Sequence, residues 1–157
     1  MKDVKKLLGE LGKLDFSKMY EDDFVLTWEK TDDEIAAVHQ VAEILRAMRE
    51  ANISTNIFDS GLAISLFRDQ STRTRFSFAS AANLLGLEVQ DLDEGKSQVA
   101  HGETVRETAN MVSFMADVIG IRDDMYIGKG NTYMREVSAA VKAGYEEGVL
   151  EQRPTLV

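Results

Sequence analysis

The densest chemistry in this chain lies at Ser71-Thr72-Arg73-Thr74-Arg75, just after the apolar run Leu62–Phe67 and at the head of a helical pattern. A helix start leaves N–H groups unpaired and carries the positive end of the dipole, so it attracts anions. Ser71 suits the cap, Thr72 and Thr74 add hydroxyl donors, and Arg73 adds a planar fork that matches two phosphate oxygens. Hydrogen bonds to a charged group contribute about 1.5–3 kcal/mol each. The plainer reading is a serine cap followed by two solvated arginines. Against it, cations in a first turn oppose the dipole by roughly 0.3–1 kcal/mol each, a cost that an arriving anion reverses.

Two further places carry candidate groups. Arg122 directly follows the apolar run 116–121, where it could hold a carbonyl or phosphate oxygen or simply pair with Asp123 or Asp124. The segment Ser97-Gln98-Val99-Ala100-His101-Gly102-Glu103 offers a histidine that can carry a proton or bind an anion near neutral pH, or stand solvated. The other histidine, His39, falls in a helical pattern and is expected to be structural.

Other chemistries are excluded. Asp91-Leu92-Asp93-Glu94-Gly95 places its glycine one position too early for a calcium loop. Gly128-Lys129-Gly130 has neither dinucleotide nor Walker A spacing. With no cysteine, disulfides, thiolate nucleophiles and cysteine-based metal sites are absent, and neither histidine sits in a ligand cluster. No metal and no cofactor is expected. Eighteen basic against 27 acidic residues give a net charge of −9, which argues against nucleic acid as partner. No apolar run approaches the ~20 residues of a membrane span, and the charged first ten residues lack a leader's apolar core, so a cytoplasmic location is expected. The acidic runs Glu21-Asp22-Asp23 and Glu146-Glu147 read as solvated faces.

These residues need a scaffold. Val4, Leu7, Leu8, Leu11 and Leu14 have helical spacing, and an acidic, aromatic connector follows over 16–28. Thr31 with Glu34 forms a capping-box pattern for a helix to about Glu50, with Ile35, Val38, Ala42, Leu45 and Met48 as its apolar face. Then come a strand (62–67), a helix (71–85, closed by Gly86), a short strand (87–91), a loop (93–102), a helix (103–115), a strand (116–121), a helix (131–144) and a strand starting at Thr155. This alternation predicts an α/β fold, a doubly wound parallel sheet with flanking helices. Ligands then sit beyond the carboxyl ends of the strands, at 68–75, 93–103 and 122–131. At 157 residues the chain has room for one domain. It divides into 1–30, a helix and connector, and 31–157, the domain proper.

The three sites, in this order, resemble the aspartate/ornithine carbamoyltransferase family. Ser71-Thr72-Arg73-Thr74-Arg75-Phe76-Ser77-Phe78 is similar to that family's carbamoyl-phosphate signature, and Gly102-Glu103-Thr104 and Ala116-Asp117-Val118-Ile119-Gly120-Ile121-Arg122 to its later landmarks. The runs 97–108 and 122–135 look most like the YgeW-type group, which is similar to the knotted transcarbamylases. The resemblance implies a Rossmann-like carbamoyl-phosphate-binding domain, the N-terminal half of a two-domain enzyme working as a homotrimer. The chain is expected to be that half alone, the family's H-P-T-Q motif and acceptor domain being absent. Carbamoyl phosphate and an amino-acid-like amine would be the substrates. Ser71, Thr72, Arg73 and Thr74 would hold the phosphate, Thr74 also reaching the carbamoyl oxygen, and Arg122 would bind that oxygen and the phosphate. Ser97, Gln98 and His101 fall on the loop that in the family reaches a neighbouring subunit's site. The aspartate enzymes carry lysine where His101 stands, and Ser-Gln-x-x-His is closer to the ornithine type. Arg75 is implied to be structural. The alternative is an anion-binding module without turnover.

Overall fold

A computed structural model describes residues 3–68, 71–93, 95, 101–124 and 126–157. Helix α1 (Val4–Leu11) is capped by Asp3, which accepts from the Lys5 N–H, and it stops at Gly12, short of the predicted Leu14. Two single turns, Ser17–Met19 and Thr27–Glu29, carry the connector to α2 (Asp32–Glu50). The predicted capping box is formed: Thr31 Oγ1 accepts from the Glu34 N–H, and the Glu34 carboxylate accepts from the Thr31 N–H at 2.7 Å.

The face that α2 buries differs from the predicted one. Ala37, Ile44 and Ala47 are buried, whereas Val38 and Ala42 are exposed. Both sets satisfy a 3.6-residue period. The small Ala37 and Ala47 let a neighbour approach closely, and Gln40 on that side donates to the Leu7 carbonyl of α1 at 2.8 Å. His39, expected to be structural, is exposed and makes no hydrogen bond among the described residues.

The remaining elements are β1 (Leu62–Phe67), α3 (Thr72–Leu85), β2 (Glu88–Asp91), α4 (Val105–Ser113), β3 (Val118–Arg122), α5 (Gly130–Glu146) and β4 (Thr155–Leu156). The four strands form one parallel sheet in the order β2-β1-β3-β4. This is the predicted doubly wound α/β architecture, with the direction of winding reversing between β1 and β3. Alternation along the strands sends side chains to two layers. Ile64, Leu66, Ile119 and Ile121 pack with Ala109, Val112, Val137 and Val141 of α4 and α5. Ala63 packs with Ala82 of α3 and Leu87, against Phe78 and Val118.

Glycine sets how closely α3 lies on the sheet. A Cβ at Gly120 would stand 2.5 Å from the Phe78 ring. Without it, Phe78 seats over β3 and meets Phe67 edge-on, with centroids 5.7 Å apart. Gly86 closes α3 in the left-handed conformation, φ 100°, as its place after Leu85 predicts.

Within the acidic run at 21–23, Glu21 and Asp22 are exposed as expected, but Asp23 is not. Asp23 is buried and accepts from Ser138 Oγ at 2.5 Å, Arg153 Nη2 at 2.7 Å and the Leu156 N–H at 3.0 Å. The Phe24 N–H donates to the Leu156 carbonyl at 2.8 Å. The connector thus lies along the β4 edge, and a carboxylate there satisfies donors that a buried edge would otherwise leave unpaired. Asp22 pairs with Lys30 beside it.

Candidate functional site

The carboxyl ends of β1 and β3 meet where the winding reverses. Phe67 of β1 is in register with Arg122 of β3, and the Arg68 N–H donates to the Arg122 carbonyl at 3.0 Å. Two buried strands side by side therefore fix where Arg122 leaves the sheet. At the other end of β3, Asp117 Oδ2 accepts the Leu62 N–H at 2.9 Å and pins the same pair.

The start of α3 lies over this junction. Ser71 is its N-cap, as predicted. Its Oγ accepts the Thr74 N–H at 3.4 Å and donates to Thr74 Oγ1 at 2.7 Å. Arg122 Nη1 donates to the same Thr74 Oγ1 at 3.0 Å, across 48 residues of sequence. With two donors on its oxygen, Thr74 has its own proton to offer a ligand. Thr72 and Arg73 are exposed, and Arg73 makes no ion pair among the described residues. The structure thus brings Ser71, Thr74 and Arg122 into one hydrogen-bonded set, with Thr72 and Arg73 on the same helix turn. A helix N-terminus, hydroxyl donors and the Arg122 guanidinium meet at the carboxyl ends of β1 and β3, and a set of donors of this kind suits an anion.

The carboxylates around the crevice are sorted by their partners. Arg122 Nη2 pairs with Asp124 at 2.5 Å, as the simpler reading of Arg122 had it, while Nη1 stays on Thr74. Asp123 turns inward to Arg68 at 3.1 Å, and Arg68 lies over the Tyr133 ring of α5 at 3.4 Å. Arg75 turns away from the crevice: it pairs with Asp91 and donates to the Phe67 carbonyl at 2.8 Å. Asp91 in turn accepts from the buried Ser65 hydroxyl at 2.6 Å. The anchoring of α3 by Asp91 had no signal in the sequence, because the carboxylate lies 16 residues from Arg75 on another strand.

Of the loop residues singled out from the sequence, Ser97 and Gln98 lie outside the described residues. His101 is exposed and has no hydrogen bond to Ser71, Thr74 or Arg122. The loop is followed by a second capping box: Thr104 accepts from the Glu107 N–H and Glu107 accepts from the Thr104 N–H at 2.8 Å. These bonds hold the Glu107 carboxyl below its ordinary range. The T-x-x-E spacing was there to read. Among the described residues no cluster of histidine and carboxylates could hold a metal ion, and no helix is long and apolar enough to cross a membrane.

A doubly wound parallel sheet, with a helix starting where the winding reverses and an arginine from the neighbouring strand bonded to its first turn, defines the α/β class whose ligands lie beyond the carboxyl ends of the strands. The chain belongs to a particular family of that class. Residues 22–144 match the family model for the aspartate/ornithine carbamoyltransferase, carbamoyl-P binding domain. Over all 157 residues the chain is 66% identical to the Escherichia coli (strain K12) protein named "Putative carbamoyltransferase YgeW", of which it covers 39%. It is 37% identical over 100 residues to an ornithine carbamoyltransferase of a Parafrankia species, covering 63% of this chain and 32% of that one. The fold is shared with the ornithine carbamoyltransferase from Pyrococcus furiosus, with a TM-score of 0.69 at 21% identity over 87% of this chain and 39% of that one. It is shared equally with the aspartate transcarbamoylase from Trypanosoma cruzi solved with carbamoyl phosphate and aspartate, with a TM-score of 0.67 at 20% identity over 87% and 38%. The chain thus spans about two fifths of the length of the YgeW protein.

Proposed function

We propose that this domain binds carbamoyl phosphate and serves a carbamoyltransferase that moves the carbamoyl group to an amine of an amino-acid-like acceptor, releasing phosphate. The observation that carries the reading is the 3.0 Å contact between Arg122 Nη1 and Thr74 Oγ1, which joins the end of β3 to the first turn of α3. The phosphate sits at the α3 N-terminus on the Ser71–Thr74 turn, with the exposed Arg73 as its counter-charge. The carbamoyl oxygen faces Thr74 and Arg122.

The chemistry follows from that placement. The amine nitrogen attacks the carbamoyl carbon, the carbon–oxygen bond to phosphate breaks, and the amine proton leaves with the phosphate or solvent. Negative charge builds on the carbamoyl oxygen and on the departing phosphate. Fixed donors at both places stabilise it without reorganising, and holding donor and acceptor together supplies the proximity.

The reading extends to assembly. The domain works in a homotrimer in the cytoplasm, with the Ser97, Gln98 and His101 loop completing a neighbouring subunit's site. Its support is the family membership and the position of that segment between β2 and α4.

Calorimetric titration with carbamoyl phosphate, with inorganic phosphate and Arg73→Ala as controls, is the test. Binding that prefers carbamoyl phosphate and weakens at least tenfold in the variant supports the site, since one lost charge-assisted bond is worth about 1.5–3 kcal/mol. Equal binding by both forms overturns it.

A further inference from the structure

The crevice already contains an anion of the protein's own. Among the contacts of the Arg122 guanidinium, Nη1 lies on Thr74 Oγ1 at 3.0 Å and Nη2 on Asp124 Oδ2 at 2.5 Å. The two carboxylates that follow β3 are not equivalent. Asp123 faces inward, its side chain only 10% exposed and held by Arg68. Asp124 is about half exposed and pairs with an Arg122 that is one-third exposed. Asp123 is thus part of the packing under α5, and Asp124 stands on the ligand side.

We propose that Asp124 is a specificity-determining residue: its carboxylate takes the place on Arg122 Nη2 that a ligand oxygen must occupy, so a ligand has to displace it. This rests on the anion-site reading given above. An anion that needs only the α3 start and Arg73 binds without disturbing the pair. An anion carrying a second acceptor group, such as a carbamoyl or amide oxygen beside the phosphorus, reaches Arg122 and must dislodge Asp124. The residue therefore weakens binding of the larger ligand selectively.

The size of the effect is bounded by the exposure of the pair. A half-exposed ion pair is weak, and removing its carboxylate from beside a dianion adds a similarly modest effect, so a gain of roughly three- to tenfold in affinity is expected.

The test compares the unaltered protein, Asp124→Asn and Glu88→Gln, the last neutralising an exposed carboxylate at the far end of the sheet. Each is titrated with inorganic phosphate and with phosphonoacetamide, a stable phosphonate bearing an amide oxygen. The expected result is that Asp124→Asn tightens phosphonoacetamide three- to tenfold and phosphate by less than half that factor, and that Glu88→Gln changes neither. Equal or weaker phosphonoacetamide binding by Asp124→Asn, with binding still dependent on Arg73, overturns this inference alone. Equal gains with Glu88→Gln also overturn it, because net charge then suffices. If no form binds either anion, the site reading itself falls, and this inference with it.

Discussion

Asp23→Ala should be among the most damaging single substitutions in this chain. The Asp23 side chain is 4% exposed and that of Arg153 10%, so the pair is desolvated. Truncation removes three hydrogen bonds and leaves the Arg153 charge, the Ser138 hydroxyl and the Leu156 N–H without their acceptor. Arg153 Nε is already buried without a hydrogen bond, so the guanidinium has little slack. Breaking a buried pair from one side costs about 3–5 kcal/mol. That is a large part of the ~5–15 kcal/mol that holds a domain together. At roughly 2–4 °C per kcal/mol for a chain of this size, the melting temperature should fall by about 6–20 °C. Urea unfolding followed by circular dichroism, with thermal melts beside it, measures both quantities. Two companion variants isolate the cause. Asp23→Asn keeps the shape and should lose less. Asp23→Leu combined with Arg153→Met removes both charges and should recover much of the loss, since a buried pair can be replaced by apolar groups at little cost. A loss under about 1 kcal/mol in Asp23→Ala, with an unchanged denaturant slope, would refute the argument, because a contact that solvates on truncation is worth no more than a surface pair.

Three more outcomes can be checked. Gly120→Ala puts a Cβ 2.5 Å from the Phe78 ring; it should cost about 1–3 kcal/mol by overpacking and weaken phosphate binding, because α3 must shift. Arg75→Ala should lower stability by about 1 kcal/mol, its pair with Asp91 being partly solvated, yet weaken phosphate binding less than Arg73→Ala does. For acid stability, the Asp15 carboxyl is held low by its bonds to Ser17 and Glu107 by its bonds to Thr104. At Asp22, burial pushes upward but the hydrogen bond and charge of Lys30 prevail, and the net shift is downward. Folded values below the unfolded ones mean stability that is present above about pH 4 and lost as pH falls through the folded values. Urea midpoints between pH 7 and 3 should decline on the acid side, and less steeply in Glu107→Gln, which keeps the capping geometry without the titrating group.

The elements that the sequence made legible are those governed by near neighbours. The Thr31–Glu34 capping box, the Ser71 cap, the Gly86 close and the apolar strands Leu62–Phe67 and Val118–Arg122 are local signals. The alternation of strand and helix was enough for a doubly wound sheet, and the ends of two strands pointed to the crevice. What escaped depends on distant partners. Asp23 sits in an acidic run that reads as solvated, and only a partner 130 residues away reverses that reading. On α2, two apolar stripes satisfy one period, and the choice between them belongs to the neighbouring helix. Arg73 and Arg75 differ by two positions and are alike in type and spacing, so that only the family resemblance separates them on paper. An aspartate on β2 takes one and leaves the other facing solvent.

Of the two inner strands of the sheet, β1 is synthesised before β3. β1 pairs with β2 on one side and with β3 on the other, and both follow it along the chain. Its contact with β3 spans 55 residues. At the ~5–20 residues per second of ribosomal synthesis, that gap is roughly 3–11 s. For that interval Leu-Ala-Ile-Ser-Leu-Phe has no native partner on its β3 side, although five of its six residues end buried. Such a segment resembles the short, uncharged stretches that pair with copies of themselves. The topology that places the Ser71, Thr74 and Arg122 set at the middle of the sheet therefore leaves those six residues to be shielded by other means until β3 arrives.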